Sequence, residues 1–377
     1  METNIIIAGD LCPQERVAHN LELGCYEKIF SEVKPIIESS DYAIVNLEAP
    51  IVTRPAKPIS KSGPNLKCSP KVVDAIRYIG FKGVTLANNH FYDYGEEGAL
   101  STIRELEVNG IDYVGAGKGR LEAAKILFKT INNDTYAFIN CCEHEYSIVT
   151  NETTGCNPVD VIGLYNAIKE AKKKAKYVII IVHGGIEMYQ LPTPRMVKLY
   201  RFFIDAGADV VVNHHQHCYS GYEFHHGKPI VYGVGNFCFD WESKRDKNWK
   251  EGYLAKLIFK EDSIALDTIP YLQCDKAPTI LLSDIDKASF RHRLKELCDL
   301  IVDEKALEKE YDQLLQRTWK NYDMMNPWSN RFLRGLYKYR ILPSLMPRKK
   351  LYFIWNSIYC ESHRERLLNA IQRKMNK

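Results

Sequence analysis

Five short groups of Asp, Glu, Asn and His carry the chemistry open to this chain. Three imidazoles, His214, His215 and His217, follow the apolar run Val210–Val212 directly. In extended backbone, residues two apart point to one side, so His215 and His217 are expected to face one site together. His183 closes a second apolar run, Val178–Val182, and is followed by Gly184, Gly185 and Glu187. The two glycines would let the backbone approach a ligand closely. Asn88, Asn89, His90 and Asp93 crowd the exit of Gly83–Ala87, Asn46 and Glu48 end the run that begins at Tyr42, and Ile5–Ala8 runs into Gly9 and Asp10. Each group alone has a plain reading, since Gly-Asp and Asn-Asn serve turns and a lone histidine is often a hydrogen-bonded core residue. Taken in order they give carboxylate, carboxylate, amide with imidazole, imidazole and imidazole pair, each after a strand. Such donors hold zinc, manganese or iron. An acid able to bridge two ions would set them about 3.5 to 4 Å apart, polarising an ester and generating hydroxide. Phosphoester or related hydrolysis fits that donor set.

The elements that must position these residues are legible as alternation. Apolar, β-branched runs at Ile5–Ala8, Tyr42–Leu47, Gly83–Ala87, Ile111–Val114, Val178–Val182 and Val210–Val212 predict strands. Helical spacing covers Cys25–Ser39, Pro70–Ile79, Glu96–Asn109, Val159–Lys174 and Pro194–Ala206 between them. That is layered α/β architecture, with functional groups gathered at strand exits. From Ser220 the pattern turns to strand pairs, Tyr222–His225 with Ile230–Val234 and Tyr253–Phe259 with Ile264–Tyr271, which read as antiparallel. The proline-rich stretch Ile51–Pro70 reads as a surface loop. After Thr279 the chain is helical and charged, so the expected division is 1–280 for the main domain and 281–377 for a helical, basic extension.

With 377 residues, 45% hydrophobic and 26% charged, the chain has the composition of a globular protein. Its first residues lead straight into Ile5 without a basic leader, and no apolar run reaches the roughly 18 to 20 residues of a spanning helix. The expectation is a cytoplasmic protein with no signal peptide or transmembrane helix. Eleven cysteines at irregular spacings, with no C-x-x-C pair, fit reduced thiols better than a disulfide framework. Residues 331–377 hold twelve Lys and Arg against two acids, while the whole chain is only +4, so the basic charge belongs to the tail.

At the residues above, the chain resembles the CapA (PgsA-like, poly-γ-glutamate synthesis) capsule family, itself similar to calcineurin-like metallophosphoesterases. The match runs over about residues 3–260. Gly9-Asp10, Asn46-Leu47-Glu48, Ala87-Asn88-Asn89-His90 with Asp93 and Gly95, His183-Gly184-Gly185 with Glu187, and Asp205 through His217 to Asn236-Phe237 resemble that family's blocks in order. The resemblance implies a calcineurin-like sandwich of mixed sheets flanked by helices. It also implies Asp10, Glu48, Asn89, His183, His215 and His217 as metal ligands, Glu48 standing at the bridging position. His90 would be the general acid or the donor to developing negative charge, and Asp93 and Glu187 would support the ligands or meet substrate. One departure stands out: phosphoesterases begin with Asp-x-His, and Cys12 occupies the histidine's place. Glu48, Asn89, His183 and His215 therefore form one full set for Mn, Zn or Fe, while Asp10 and His217 are left with a thiolate from Cys12 or an empty second site.

Two classes of function follow. One is a metal-dependent hydrolase acting on a phosphoester or on an anionic, capsule-like polymer; the other is a non-catalytic accessory component of a polymer synthesis or export complex. No nucleic acid partner is expected. An ATP-dependent ligase is disfavoured, because Asp112 stands where a phosphate loop before Gly117-Lys118 needs its first glycine and Gly119 where it needs Ser or Thr. A serine hydrolase fares no better, since Cys218-Tyr219-Ser220-Gly221 lacks the first glycine of a nucleophile elbow. In the tail, Arg331, Arg334, Lys338, Arg340, Arg348, Lys349 and Lys350 alternate with aromatic and aliphatic residues, a pattern suited to peripheral contact with an anionic membrane or to packing of the aromatics on the main domain.

Overall fold

The computed structural model describes residues 2–241, 246–274, 277–323, 331–339, 341 and 347–375. In chain order its strands are β1 (Thr3–Leu11), β2 (Tyr42–Leu47), β3 (Gly83–Thr85), β4 (Asp112–Val114), β5 (Ala116–Lys118), β6 (Leu127–Ile131), β7 (Asp134–Cys142), β8 (Thr154–Cys156), β9 (Tyr177–His183), β10 (Val210–His214), β11 (Tyr222–His225), β12 (Lys228–Val231), β13 (Asn236–Cys238), β14 (Glu251–Phe259), β15 (Ile264–Leu272) and β16 (Ile280–Leu281). One sheet has the order β16-β15-β14-β1-β2-β3-β4, with β13 also pairing β1; the second has the order β11-β12-β10-β9-β7-β6. Both are mixed. β1 to β4 run parallel, as do β7, β9, β10 and β12, while β14, β15 and β16 and the β11/β12 and β6/β7 pairs are antiparallel. The two sheets and their flanking helices make the expected sandwich, and the C-terminal helices are present.

Side-chain alternation builds the layers. Ile5 and Ile7 of β1, with Tyr42 and Ile44 of β2, join the core that includes Phe138, Ile179, Ile181 and Val212 of the second sheet. Ile6, Ala8, Ala43 and Val45 point the other way and pack on Val72, Ile76 and Ala99 of the outer helices. The Tyr42 and Phe138 rings meet across the layer, 5.3 Å between centroids. Helix ends follow local chemistry: Thr193 accepts from the Met196 N–H ahead of Pro194–Ala206, Asp160 caps Val161–Lys172, and Ser283 caps Asp284–Val302. The last of these buries Phe290, Leu294, Leu297 and Ile301 in the same core as the second sheet.

Several expectations need correction. The stretch Cys25–Ser39 is two short helices, Tyr26–Phe30 and Lys34–Glu38, because Pro35 lacks the N–H that a continuous helix would need. Helix Glu15–Glu22 was not expected, nor was β7, which lies beside β9. The segment after Ser220 is not wholly antiparallel, since β12 runs parallel to β10 and β13 parallel to β1.

Candidate metal centre

A bulge aims the first acid. In β1, Ala8 pairs with Val45 and Asp10 with Asn46, so Gly9 is one residue too many. Without it, Asp10 would share the outward face of Ile6 and Ala8; the extra residue turns it inward beside Asn46. Glycine is required there, because a Cβ on Gly9 would lie 1.8 Å from the Gly235 carbonyl oxygen. Asn46 fixes the result: its Nδ2 donates to Asp10 Oδ1 at 2.7 Å, while Thr85 and Asn88 donate to its Oδ1. Glu48 follows on the inward phase of β2.

The second sheet supplies the imidazoles, by a route the residue spacing does not anticipate. His214 pairs with His183 across β10 and β9, and the two share the inward face. His214 Nε2 therefore donates to the Ala8 carbonyl, 2.9 Å away, and strand phase alone would send His215 outward. The extended geometry expected for His215 and His217 is absent: the strand ends at His214, and both histidines have positive φ, 90° and 55°. This left-handed backbone, which costs of the order of 1 kcal/mol per residue and gathers at functional sites, turns both rings back to the centre.

Four donor atoms converge as a result. His183 Nε2 lies 3.1 Å from Asn89 Oδ1, 3.1 Å from His215 Nδ1 and 3.5 Å from Glu48 Oε1. Separations of that size are the edges of a coordination polyhedron with bonds of about 2.1 Å. Beside it, Glu48 Oε1 is 3.6 Å from His217 Nε2, and Asp10 Oδ2 is 3.4 Å from His217 Nδ1. Glu48, His183 and His215 form one cluster able to hold a cation and Asp10, Glu48 and His217 another, with Glu48 in both. His217 Nδ1 also meets Asn236 Oδ1 at 2.9 Å, which orients the ring and leaves Nε2 toward Glu48.

Asp10 Oδ2 and both oxygens of Glu48 are buried without a hydrogen-bond partner. Charges in such a place need a counter-ion. Burial would raise the Asp10 carboxyl, yet the nearby imidazoles of His217, His214 and His183 hold it well below the usual carboxylate range. Glu48 goes the other way, pushed well up by burial and then by the charges of Asp10 and Glu187. Burial, with His215 beside it, drives His183 well down, whereas His217, equally buried, is held above its usual value by Asp10. Orphaned carboxylate oxygens facing imidazole nitrogens fit a divalent cation.

His90 stands beside this set as part of a separate triad. Its Nδ1 is 2.7 Å from Asp93 Oδ2 and 3.1 Å from Lys61 Nζ, and Lys61 also pairs with Asp93. The Leu66 N–H donates to Asp93 at 2.6 Å. Burial and Lys61 lower the His90 imidazole against the opposing pull of Asp93. Sequence reasoning missed Lys61, which sits in the Ile51–Pro70 loop with only 2% of its side chain exposed. Glu187 is exposed in the turn after His183, where its charge reaches Glu48 and His217. Cys12 is fully buried, burial with Glu48 nearby pushes its thiol well up, and among the described residues it joins neither cluster.

Residues 4–241 match the model of a family described as "Bacterial capsule synthesis protein PGA_cap". The chain belongs to the PGA_cap family. The "Capsule biosynthesis protein CapA" of Bacillus anthracis is 30% identical over 74% of this chain and 70% of its own. The "PGA biosynthesis protein CapA" of Bacillus subtilis (strain 168) is 32% identical over 66% of this chain and 67% of its own. A Mycobacterium tuberculosis relative named "Probable polyglutamine synthesis accessory protein" is 25% identical over 56% and 60%. Among solved structures, a 5'-nucleotidase from Candida albicans SC5314 aligns with 83% of this chain and 57% of its own at TM-score 0.41 and 13% identity, a likeness that bears on neither activity nor substrate.

In this PGA_cap chain the centre adjoins a second buried network. The Glu143 N–H donates to the His183 carbonyl at 3.0 Å, and its carboxylate pairs with Arg195 and accepts from Ser362 Oγ at 2.8 Å. Arg195 Nε also meets Glu365 at 3.1 Å. The turn after β7 is thereby tied to the helix Glu361–Met375. No helix among the described residues is long and apolar enough to cross a membrane.

Proposed function

We propose that this chain serves the synthesis of a capsule or poly-γ-glutamate-type polymer as a metal-dependent hydrolase, cutting a phosphoester or a link in an anionic polymer or its precursor. The observation that carries this reading is the convergence of Asn89 Oδ1, His215 Nδ1 and Glu48 Oε1 on His183 Nε2, each within 3.5 Å of it. These four would hold the first ion, Mn, Zn or Fe; Asp10 and His217, sharing Glu48, would hold a second more weakly, because Cys12 supplies no imidazole. A divalent ion there supplies Lewis acidity and an activated water. Asn46 and Asn236 hold Asp10 and His217 in place. His90 has its Nδ1 engaged by Asp93 and Lys61, which leaves Nε2 to donate to the leaving oxygen or to the charge that develops on the scissile group. Glu187, exposed in the turn after His183, would meet substrate.

The name of the mycobacterial relative favours a second reading, an accessory protein that binds polymer or partner without turnover. Metal content and hydrolysis of a panel of phosphoesters, measured on wild type and His215→Ala, separate the two. Hydrolysis that disappears with the metal in His215→Ala supports the enzyme; bound metal with no turnover on any substrate would overturn it.

Peripheral contact with an anionic membrane rests on the helix Arg348–Tyr359, where Leu351, Phe353, Trp355 and Ile358 are exposed beside Arg348 and Lys349. Arg340 and the side chains of Arg331, Arg334 and Lys338 lie outside the described residues.

A further inference from the structure

The turn after β7 presents three consecutive acid and imidazole side chains, Glu143, His144 and Glu145, near the C-terminal helices, and two of the three are accounted for. Glu143 is taken by Arg195 and Ser362, and the Cys360 thiol also donates to its Oε2 at 3.5 Å. His144 is taken by Glu361, which pairs with its ring and accepts from its backbone N–H at 2.7 Å. Glu145 is different: it is only 8% exposed, yet no hydrogen bond or ion pair engages its carboxylate among the described residues. Its neighbours are Cys360, fully buried at the junction of the helices Arg348–Tyr359 and Glu361–Met375, and His363 in the first turn of the second helix. One carboxylate oxygen, the Cys360 sulfur and one ring nitrogen of His363 all lie within 4.8 Å of one another.

We propose that Glu145, Cys360 and His363 form a second, structural metal site that clips the C-terminal helices beside the main centre. Carboxylate, thiolate and imidazole together suit a borderline-soft divalent ion, above all zinc. The surroundings of His363 agree. Its Nδ1 is 3.1 Å from Asn356 Nδ2, while Asn356 Oδ1 is buried with no partner. With that amide turned by half a turn the contact is kept and its sense reversed, because Oδ1 then accepts from Nδ1–H. The tautomer so fixed leaves Nε2 as the unprotonated nitrogen, the arrangement that orients a histidine ligand. Burial pushes the Cys360 thiol well up, so its proton leaves to solvent only as the metal–sulfur bond forms, with no change in oxidation state. The site is independent of the hydrolytic reading, since none of its residues belongs to the main centre.

Cobalt(II) tests this on the full chain after chelator treatment, because a thiolate ligand gives an intense sulfur-to-cobalt absorption in the near ultraviolet that oxygen and nitrogen ligands lack. The band should rise with one equivalent of cobalt, persist in His215→Ala and Cys12→Ser, and disappear in Cys360→Ser. Glu145→Gln, which keeps the thiol and alters no charge pair in the turn, should weaken cobalt binding by about tenfold or more at unchanged circular dichroism. A wild-type protein with no thiolate band, a band that survives Cys360→Ser, or undiminished cobalt affinity in a folded Glu145→Gln would overturn the proposal.

Discussion

Replacing Glu48 with glutamine should make the metal-free protein more stable and the metal-loaded protein less so. Glu48 is fully buried and both its oxygens lack partners, so the folded protein holds its proton more tightly than the unfolded chain, whose ordinary value is 4.5. Above that value the folded state binds more protons than the unfolded one. Stability contributed by this group is therefore complete below pH 4.5 and is lost as pH rises toward the raised pKa, by about 1.4 kcal/mol for each pH unit. The neutral amide introduced by the substitution carries no such proton, and His183, His214 and His90, which titrate in both proteins, largely cancel in the difference. For a 377-residue chain with an unfolding entropy of about 2 cal/mol/K per residue, the gap in Tm should widen by about 2 °C per pH unit. Adding Mn or Zn should reverse the order. At a hundred times Kd a bound ion stabilises the wild type by about 2.7 kcal/mol, or about 3 °C, and Glu48→Gln should gain little of this. Melting curves of chelator-stripped and reloaded protein from about pH 5 to 8 give both comparisons. A metal-free Glu48→Gln that melts below wild type throughout, or one that gains as much from metal, would refute the placement of Glu48 as a shared ligand.

Lys61→Met should raise the His90 pKa and Asp93→Asn should lower it, since the two neighbours act on the ring in opposite senses. If protonated His90 is the active form, the alkaline limb of kcat/KM against pH moves up in the first variant and down in the second; shifts in the same direction would count against the triad. Co-sedimentation with vesicles of anionic lipid should fall several-fold when Arg348 and Lys349 are both replaced by Ser and should weaken in high salt. Equal partitioning of variant and wild type would sink the membrane contact.

How far the sequence could be read depended on whether the relevant forces were local. β1, β2, β3, β9 and β10 were legible because each is an apolar run that ends in a polar turn, and their exits are where the donors lie. β7 escaped because Asn140 interrupts its apolar run; the structure shows that this amide accepts from the Ala87 N–H at 2.8 Å and donates to the Ile181 carbonyl at 2.9 Å, joining the two sheets. Convergence of His215 and His217 was expected for a reason that does not apply. Alternation along a strand favours His214, and the positive φ angles that recruit the other two are set by the tertiary frame. Lys61 carried no local signal, being one lysine in a breaker-rich loop, although its place between the Glu48 and His90 motifs was a hint. The pairing of Arg195 with Glu143 and Glu365 spans up to 170 residues and could not be read from spacing.

The proposed donors divide evenly between the layers of the sandwich, with Asp10, Glu48 and Asn89 from one sheet and His183, His215 and His217 from the other. A cation shared among them is a rivet through two plates, and its hole is drilled only when the plates lie in one register. Apolar packing between the sheets, by residues such as Ile7, Ile44, Phe138 and Ile181, sets that register and yields to a shift of a few tenths of an ångström at small cost. Coordination bonds do not yield so easily. Trimming a single methyl in this layer, well away from any ligand, should therefore show first as altered metal affinity, which makes the greasy interior of the sandwich the part of the molecule that calibrates its chemistry.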